Sequence, residues 1–149
     1  MSTFLKDDFT GTGALSAHAV SGDGAAGGSW IVHPVSAGAL VLNNGFVQST
    51  DNTARFSYND VNPGADDYSL SCAYGIPEGI SGPRVRQDSV ANTCYEAIYY
   101  GSAQEVRLYR WNANAETLLA TWASLSTCES LRLEVSGVGA TVNLKVYKD

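Results

Sequence analysis

The sequence predicts an all-β fold: an antiparallel two-sheet sandwich with little or no helix. Three observations lead there. Hydrophobic residues recur with a period of two wherever a clear pattern exists, and no stretch holds a convincing period of 3.6. Turn signals punctuate the chain at short intervals, among them Asn43-Asn44-Gly45, Asn62-Pro63-Gly64, Pro77-Glu78-Gly79, Gly82-Pro83 and Gly137-Val138-Gly139. Gly is abundant at 15 residues while charged residues make up only 16%, a balance that suits short strands and tight turns better than helices.

The first strand is short, and the Gly/Ala/Ser-rich segment 11–29 that follows it reads as a surface loop. Strands are then expected at 30–33, 39–42, 46–49, 54–58, 68–74, 84–87 and 94–100. Farther on, Val106, Leu108 and Arg110 alternate with Arg107, Tyr109 and Trp111. Leu131, Leu133 and Val135 alternate with Arg132, Glu134 and Ser136, and Val142, Leu144 and Val146 alternate with Asn143, Lys145 and Tyr147. Such strands have one apolar and one polar face, the pattern of a sheet packed on one side. Segment 116–126 is the best helical candidate, but its β-branched and aromatic content makes it a strand followed by a loop. About a dozen short strands at this spacing point to two packed antiparallel sheets or a barrel, and of these the sandwich is the expectation. A chain of 149 residues holds one such domain, spanning 1–149.

Composition excludes several function classes. The net charge is −6 and the pI about 4.7, so the clustered cations that nucleic acid needs are missing. No apolar run approaches the roughly 20 residues of a membrane span, so no membrane insertion is expected. The opening Met-Ser-Thr-Phe-Leu-Lys-Asp-Asp carries no apolar signal core. This implies a protein that stays in the cytoplasm that made it, or leaves by lysis or within a particle. Cys72, Cys94 and Cys128 are too few and scattered for a zinc site or a disulfide framework. They read as three buried thiols, with a Cys72–Cys94 bridge as the alternative.

No catalytic pattern emerges. Glycoside hydrolysis needs two carboxylates flanking the bond, yet Glu96 has no acidic neighbour two residues away, Glu134 shares its face with Arg132, and Asp66-Asp67 lie together in a turn. His18 and His33 neighbour no nucleophile elbow. The expectation is therefore a protein without enzymatic activity. Calcium is the one cofactor left open, with Asp7 and Asp8 as its ligands and the loop residues Asp66, Asp67 and Asp88 as further oxygen donors, although turn-forming Asp is the commoner explanation.

If the apolar positions point inward, the polar face displays Arg107, Tyr109 and Trp111, with Arg132, Glu134, Lys145 and Tyr147 beside them and Arg84 and Arg86 on the same surface. Aromatic platforms stack on the apolar faces of sugars, and planar Arg and Glu groups bond their hydroxyls. Glu96, Arg107, Tyr109 and Trp111 are thus the candidate carbohydrate-binding patch. Ordinary cross-strand pairing and a protein interface would use the same residue types.

One resemblance adds to this reading. Asp7-Asp8-Phe9-Thr10-Gly11 followed by Gly28-Ser29-Trp30-Ile31-Val32 resembles the opening of concanavalin A-like, laminin-G-like jelly-roll domains. Three further stretches match in order: 88–97, 106–111 and 131–137. The resemblance implies the jelly-roll order of strands. Short versions with this opening resemble proteins of tailed bacteriophages, in which such sandwiches decorate virions, tip fibres or bind receptors. It therefore implies a virion location, capsid or tail proteins as partners, and cell-surface polysaccharide as ligand. The alternative is a free-standing carbohydrate-binding module or the accessory domain of a polysaccharide-degrading enzyme. Members of the family continue past a strand such as 142–147, whereas this chain stops at Asp149. That departure implies a shortened chain, a smaller sheet, or a strand supplied by a neighbouring copy in a homo-oligomer.

Overall fold

A computed structural model describes residues 7, 9–18, 20, 29–32, 36, 40–49, 57–59, 66–73, 80–88, 90–125, 127–139 and 141–149. Its described residues form antiparallel strands joined by turns, with two single 3₁₀ turns and no α-helix among them. None of its helical segments is long and apolar enough to cross a membrane. Contacts group the chain into two compact units, residues 1–63 and 64–149.

In residues 1–63 the strands are Thr12–Ala14 (β1), Trp30–Val32 (β2), Val41–Asn43 (β3), Val47–Gln48 (β4) and Ser57–Asn59 (β5). They pair as a three-stranded sheet in the order β1-β3-β4 and a two-stranded ribbon β2-β5. The β3–β4 hairpin realises its turn signal. Asn44 and Gly45 both take positive φ, 48° and 94°, the two-residue geometry that matches the twist of the flanking strands. The start of the presumed surface loop differs from expectation. β1 occupies Thr12–Ala14 and a 3₁₀ turn Leu15–Ala17, whose Leu15 is buried. The composition 11–29 is turn-like on average, and the single leucine that anchors this turn is hidden in that average. Residues 21–28 lie outside the described set.

In residues 64–149 the strands are Tyr68–Ala73 (β6), Ile80–Ser81 (β7), Arg84–Asp88 (β8), Thr93–Tyr100 (β9), Glu105–Asn112 (β10), Ala115–Trp122 (β11), Ser130–Ser136 (β12) and Asn143–Lys148 (β13). One sheet runs β11-β10-β9, with β7 and β8 sharing the far side of β9; the other runs β13-β12-β6. The two pack face to face as a sandwich. Val85, Ala97 and Leu108 of the first sheet and Leu133 and Val135 of the second join one buried cluster. Tyr99, Val106, Cys128 and Leu131 form another. Each fully buried Leu or Val contributes about 1.5–3 kcal/mol, so these alternating positions account for the association of the sheets.

The edge formed by β7 and β8 is broken at Gly82-Pro83. A Cβ at Gly82 would lie 1.7 Å from the Ala97 carbonyl oxygen, so only glycine permits this approach. Pro83, which has no N–H to offer a ladder, contributes its carbonyl instead: Ala97 N donates to Pro83 O at 3.1 Å. The β10–β11 hairpin turns on Ala113 and Asn114, both at positive φ (49° and 69°). At the C-terminus, β13 pairs with β12 from Asn143 to Lys148. Asp149 extends the pairing, accepting from Glu129 N at 2.7 Å and Ser130 N at 3.2 Å and donating to Ser130 O at 3.2 Å. The turn signals at 62–64 and 77–79 fall outside the described residues, as do residues 54–56 of the strand expected at 54–58.

Candidate functional site

The alternation along β9 and β10 places the four expected patch residues on one face. Val106, Leu108, Ala97 and Tyr99 point into the sandwich, so their neighbours Glu96, Arg107, Tyr109 and Trp111 share the opposite side. Register then sets them in rows: Arg84 faces Glu96 and Glu96 faces Tyr109, while Cys94 faces Trp111 and Ile98 faces Arg107. The patch divides into two clusters.

Glu96 is the centre of the first. Arg84 grips its carboxylate with two N–H groups, Nε to Oε1 at 2.7 Å and Nη2 to Oε2 at 3.1 Å. Trp111 Nε1 donates to Oε2 at 2.8 Å. The Arg84 guanidinium also lies 5.2 Å from the centre of the Trp111 ring. Glu96 is only 4% exposed. A bidentate guanidinium and an indole N–H compensate its buried charge, and this carboxylate is committed to holding the face together.

Arg107, Tyr109 and Tyr100 make the second cluster. Arg107 stacks over the Tyr100 ring at 4.4 Å and donates to the Tyr109 hydroxyl at 3.3 Å. It also forms an ion pair with Glu105. The two tyrosine hydroxyls lie 3.4 Å apart. Burial first, then the hydrogen bond with Tyr109, pushes the Tyr100 phenol up to about 12. Tyr109 is 6% exposed, so the expected display of its ring does not occur.

Sequence alternation merged two surfaces that the fold separates. Arg132, Glu134, Lys145 and Tyr147 lie on the second sheet, on strands β12 and β13. There Arg132 sits 4.0 Å over the Tyr147 ring and Lys145 Nζ lies 3.3 Å from Glu134 Oε1. The sheets meet by their apolar faces, so their polar faces point to opposite sides of the sandwich. Periodicity reports which face a residue takes, but not which sheet its strand joins.

Of the four patch residues, Trp111 borders an open depression. This hollow of about 190 Å³ is lined by Arg86, Thr93, Tyr95, Arg110, Trp111 and Asn112, and Cys94 also reaches it. It lies where the β8–β9 and β10–β11 turns run side by side, tied by the Asn92 amide donating to Asn114 Oδ1. The first turn is closed by Asp88 Oδ1, which accepts from Val90 N and Ala91 N, both at 2.9 Å. Arg86 is placed by a bulge in β8, where the pairing with β9 shifts between Val85 and Asp88 and Arg86 itself has φ 56°. From there Nη2 reaches the Gly137 carbonyl at 2.6 Å and the Asp66 carbonyl, and Nη1 lies 3.8 Å from Asp66 Oδ1. Its backbone N–H donates to the Tyr68 hydroxyl at 2.5 Å. Arg86 Nε is buried without a hydrogen-bond partner. Sequence reasoning missed Arg110 and Asn112; Arg110 stands among apolar inward positions, and only its place at the strand end lets it reach the rim.

Burial raises the Cys94 thiol to about 11, against the opposing pull of Arg84, and burial raises Cys128 as well. All three cysteines are free thiols.

The aspartates offered as calcium ligands are placed in part. Asp7, in residues 1–63, accepts from Phe9 N at 3.0 Å, from His18 Nε2 at 2.9 Å and from Trp30 Nε1 at 2.6 Å. The Phe9 ring packs at 5.4 Å from that of Trp30 and 6.4 Å from that of His18. The Asp7 carboxylate, 2% exposed at its side chain, thus pins the chain start to β2 and the 3₁₀ turn through N–H donors, which repel a cation. Asp8 lies outside the described residues. No group of three or more His, Cys, Asp or Glu gathers as a metal site among the described residues.

Compared with protein-family models, curated proteins and solved structures, the chain matches none.

Proposed function

We propose that this chain is a non-catalytic jelly-roll module of a virion, a capsid or tail decoration that binds cell-surface carbohydrate through the end of its sheet. The observation that carries the binding half is the depression at Trp111. Its lining brings Tyr95 and an edge of Trp111 together with Arg86, Arg110 and Asn112. Stacking platforms next to planar hydrogen-bonding groups are the chemistry that recognises sugar rings. A hollow of about 190 Å³ is smaller than the roughly 300–1,000 Å³ of drug-sized pockets, and suits one terminal saccharide unit.

The virion half rests on the resemblance of the opening and of the stretches 88–97, 106–111 and 131–137 to short phage jelly-rolls. Capsid or tail proteins and a second copy of the chain are its partners under this reading. The test is retention by host cell envelopes, followed by release with soluble envelope polysaccharide. Retention should be lost in Asn112→Ala, an exposed position whose replacement spares the core. A chain that no envelope or polysaccharide retains does not bind carbohydrate. A chain that shows no affinity for any assembled virion is not a decoration protein.

A further inference from the structure

We infer that the depression at Trp111 selects an acidic saccharide, one whose terminal unit carries a carboxylate. This rests on the carbohydrate-binding reading and narrows its ligand. The first ground is charge accounting among the described residues. Arg84 pairs with Glu96, Arg107 with Glu105, Lys145 with Glu134 and Arg86, at longer range, with Asp66, while Arg132 stacks on Tyr147. Arg110 and Lys148 have no ion pair among them, although the chain has a net charge of −6, and of the two it is Arg110 that borders the depression. The unpaired guanidinium lines the depression together with a second one, Arg86, and no carboxylate shares the lining.

The second ground is independent of charge. Arg86 Nε is a buried donor without a hydrogen-bond partner, and such a group costs about 1–3 kcal/mol until an acceptor reaches it. Backbone carbonyls of Asp66 and Gly137 hold its Nη2, so the side chain cannot swing away to find water. Two arginines in one lining, one without an ion pair and one fixed by backbone carbonyls, favour a planar anion with two oxygens. Tyr95, which lines the same hollow, then bounds the apolar part of the same unit, which a bare inorganic anion would leave unused.

The experiment is a glycan array of neutral, carboxylated, sulfated and phosphorylated saccharides, read for the full chain and for Arg110→Gln. Arg110 is exposed and makes no contact that the fold depends on, so the variant should melt as the parent does. The bound glycans should be carboxylated ones. Their methyl esters, which keep the sugar and remove the charge, should bind at least tenfold more weakly. Arg110→Gln should bind acid and ester alike, at the level of the parent's ester. Equal binding of acid and ester by the parent, or preference for sulfated or neutral glycans, overturns the carboxylate inference and leaves carbohydrate binding standing. Binding of no glycan at all overturns both.

Discussion

Glu96 shows at the scale of one residue how a sheet face can look like a binding surface and act as scaffolding. Its carboxylate is held by Arg84 and Trp111 with 4% of its surface exposed. Removing one partner of a buried pair typically costs about 3–5 kcal/mol, because the other is left uncompensated. Glu96→Ala should therefore lower stability by about 3 kcal/mol in urea unfolding, whereas Arg110→Gln should change it by less than about 0.5 kcal/mol. The thiol of Cys94 gives a second prediction, in pH. It ionises at about 11 in the folded chain against an ordinary 9.0, and the Tyr100 phenol at about 12 against 10.0. Between these values the folded chain keeps protons that the unfolded chain has lost, so unfolding is favoured as pH rises. Stability should be at its full value below pH 9 and should fall through pH 11. Cys94→Ala should make the profile shallower between pH 9 and 10, where Tyr100 contributes little and the raised thiol of Cys128 supplies the rest; an unchanged slope in thermal melts would assign the loss to another group.

At the scale of the element, the strands were legible because their side chains alternate. Leu131, Leu133 and Val135 are fully buried as their pattern requires, and β9, β10 and β12 fall within one residue of the expected bounds. The Asn44-Gly45 turn was legible for the same local reason: its residues tolerate positive φ. Short elements were not. β7 has two residues, Ile80–Ser81, too few for any period to register, and it exists because β9 offers it an edge. Gly82 makes that edge possible. Gly82→Ala would press a Cβ against the backbone of Ala97, and overpacking against an atom that cannot yield belongs at the upper end of the usual 1–3 kcal/mol. The denaturation midpoint should shift accordingly with the m-value unchanged. The sheet edges carry a fourth prediction. The C-terminal strand β13, the edge the sequence marks as a risk, bears Lys145 and Lys148, the charges that discourage edge pairing. β11 bears exposed Leu118, Leu119 and Trp122 and no cation. Leu119 is the extra residue of a bulge, since Leu118 and Ala120 face consecutive residues of β10. Leu119→Lys should leave the melting temperature nearly unchanged and reduce any self-association seen by light scattering; an equal mass distribution for the two chains would place the contact elsewhere.

For the molecule as a whole, the polar face was legible as a pattern and illegible as a place. Alternation identified Arg107, Tyr109 and Trp111 as lying away from the core, but burial of Tyr109 and Glu96 depends on long-range neighbours that no local window contains. The hollow at Trp111 depends on more distant facts still: a bulge that re-aims Arg86, and two turns joined through Asn92 and Asn114. Every residue of that hollow, and every member of the two buried clusters, belongs to residues 64–149. A segment of this size buries about 60% of the surface its unfolded chain exposes, which small domains show to be sufficient for independent folding. Expressed alone, residues 64–149 should give a single cooperative unfolding transition and a dispersed amide spectrum. Saccharide affinity should then be retained within about threefold of the full chain, a difference of roughly 0.65 kcal/mol. Cooperative folding with affinity lost would move the ligand to residues 1–63. A fragment without a transition would mean that the sandwich draws on residues 1–63 for its stability, and the site would have to be located by substitutions in the full chain.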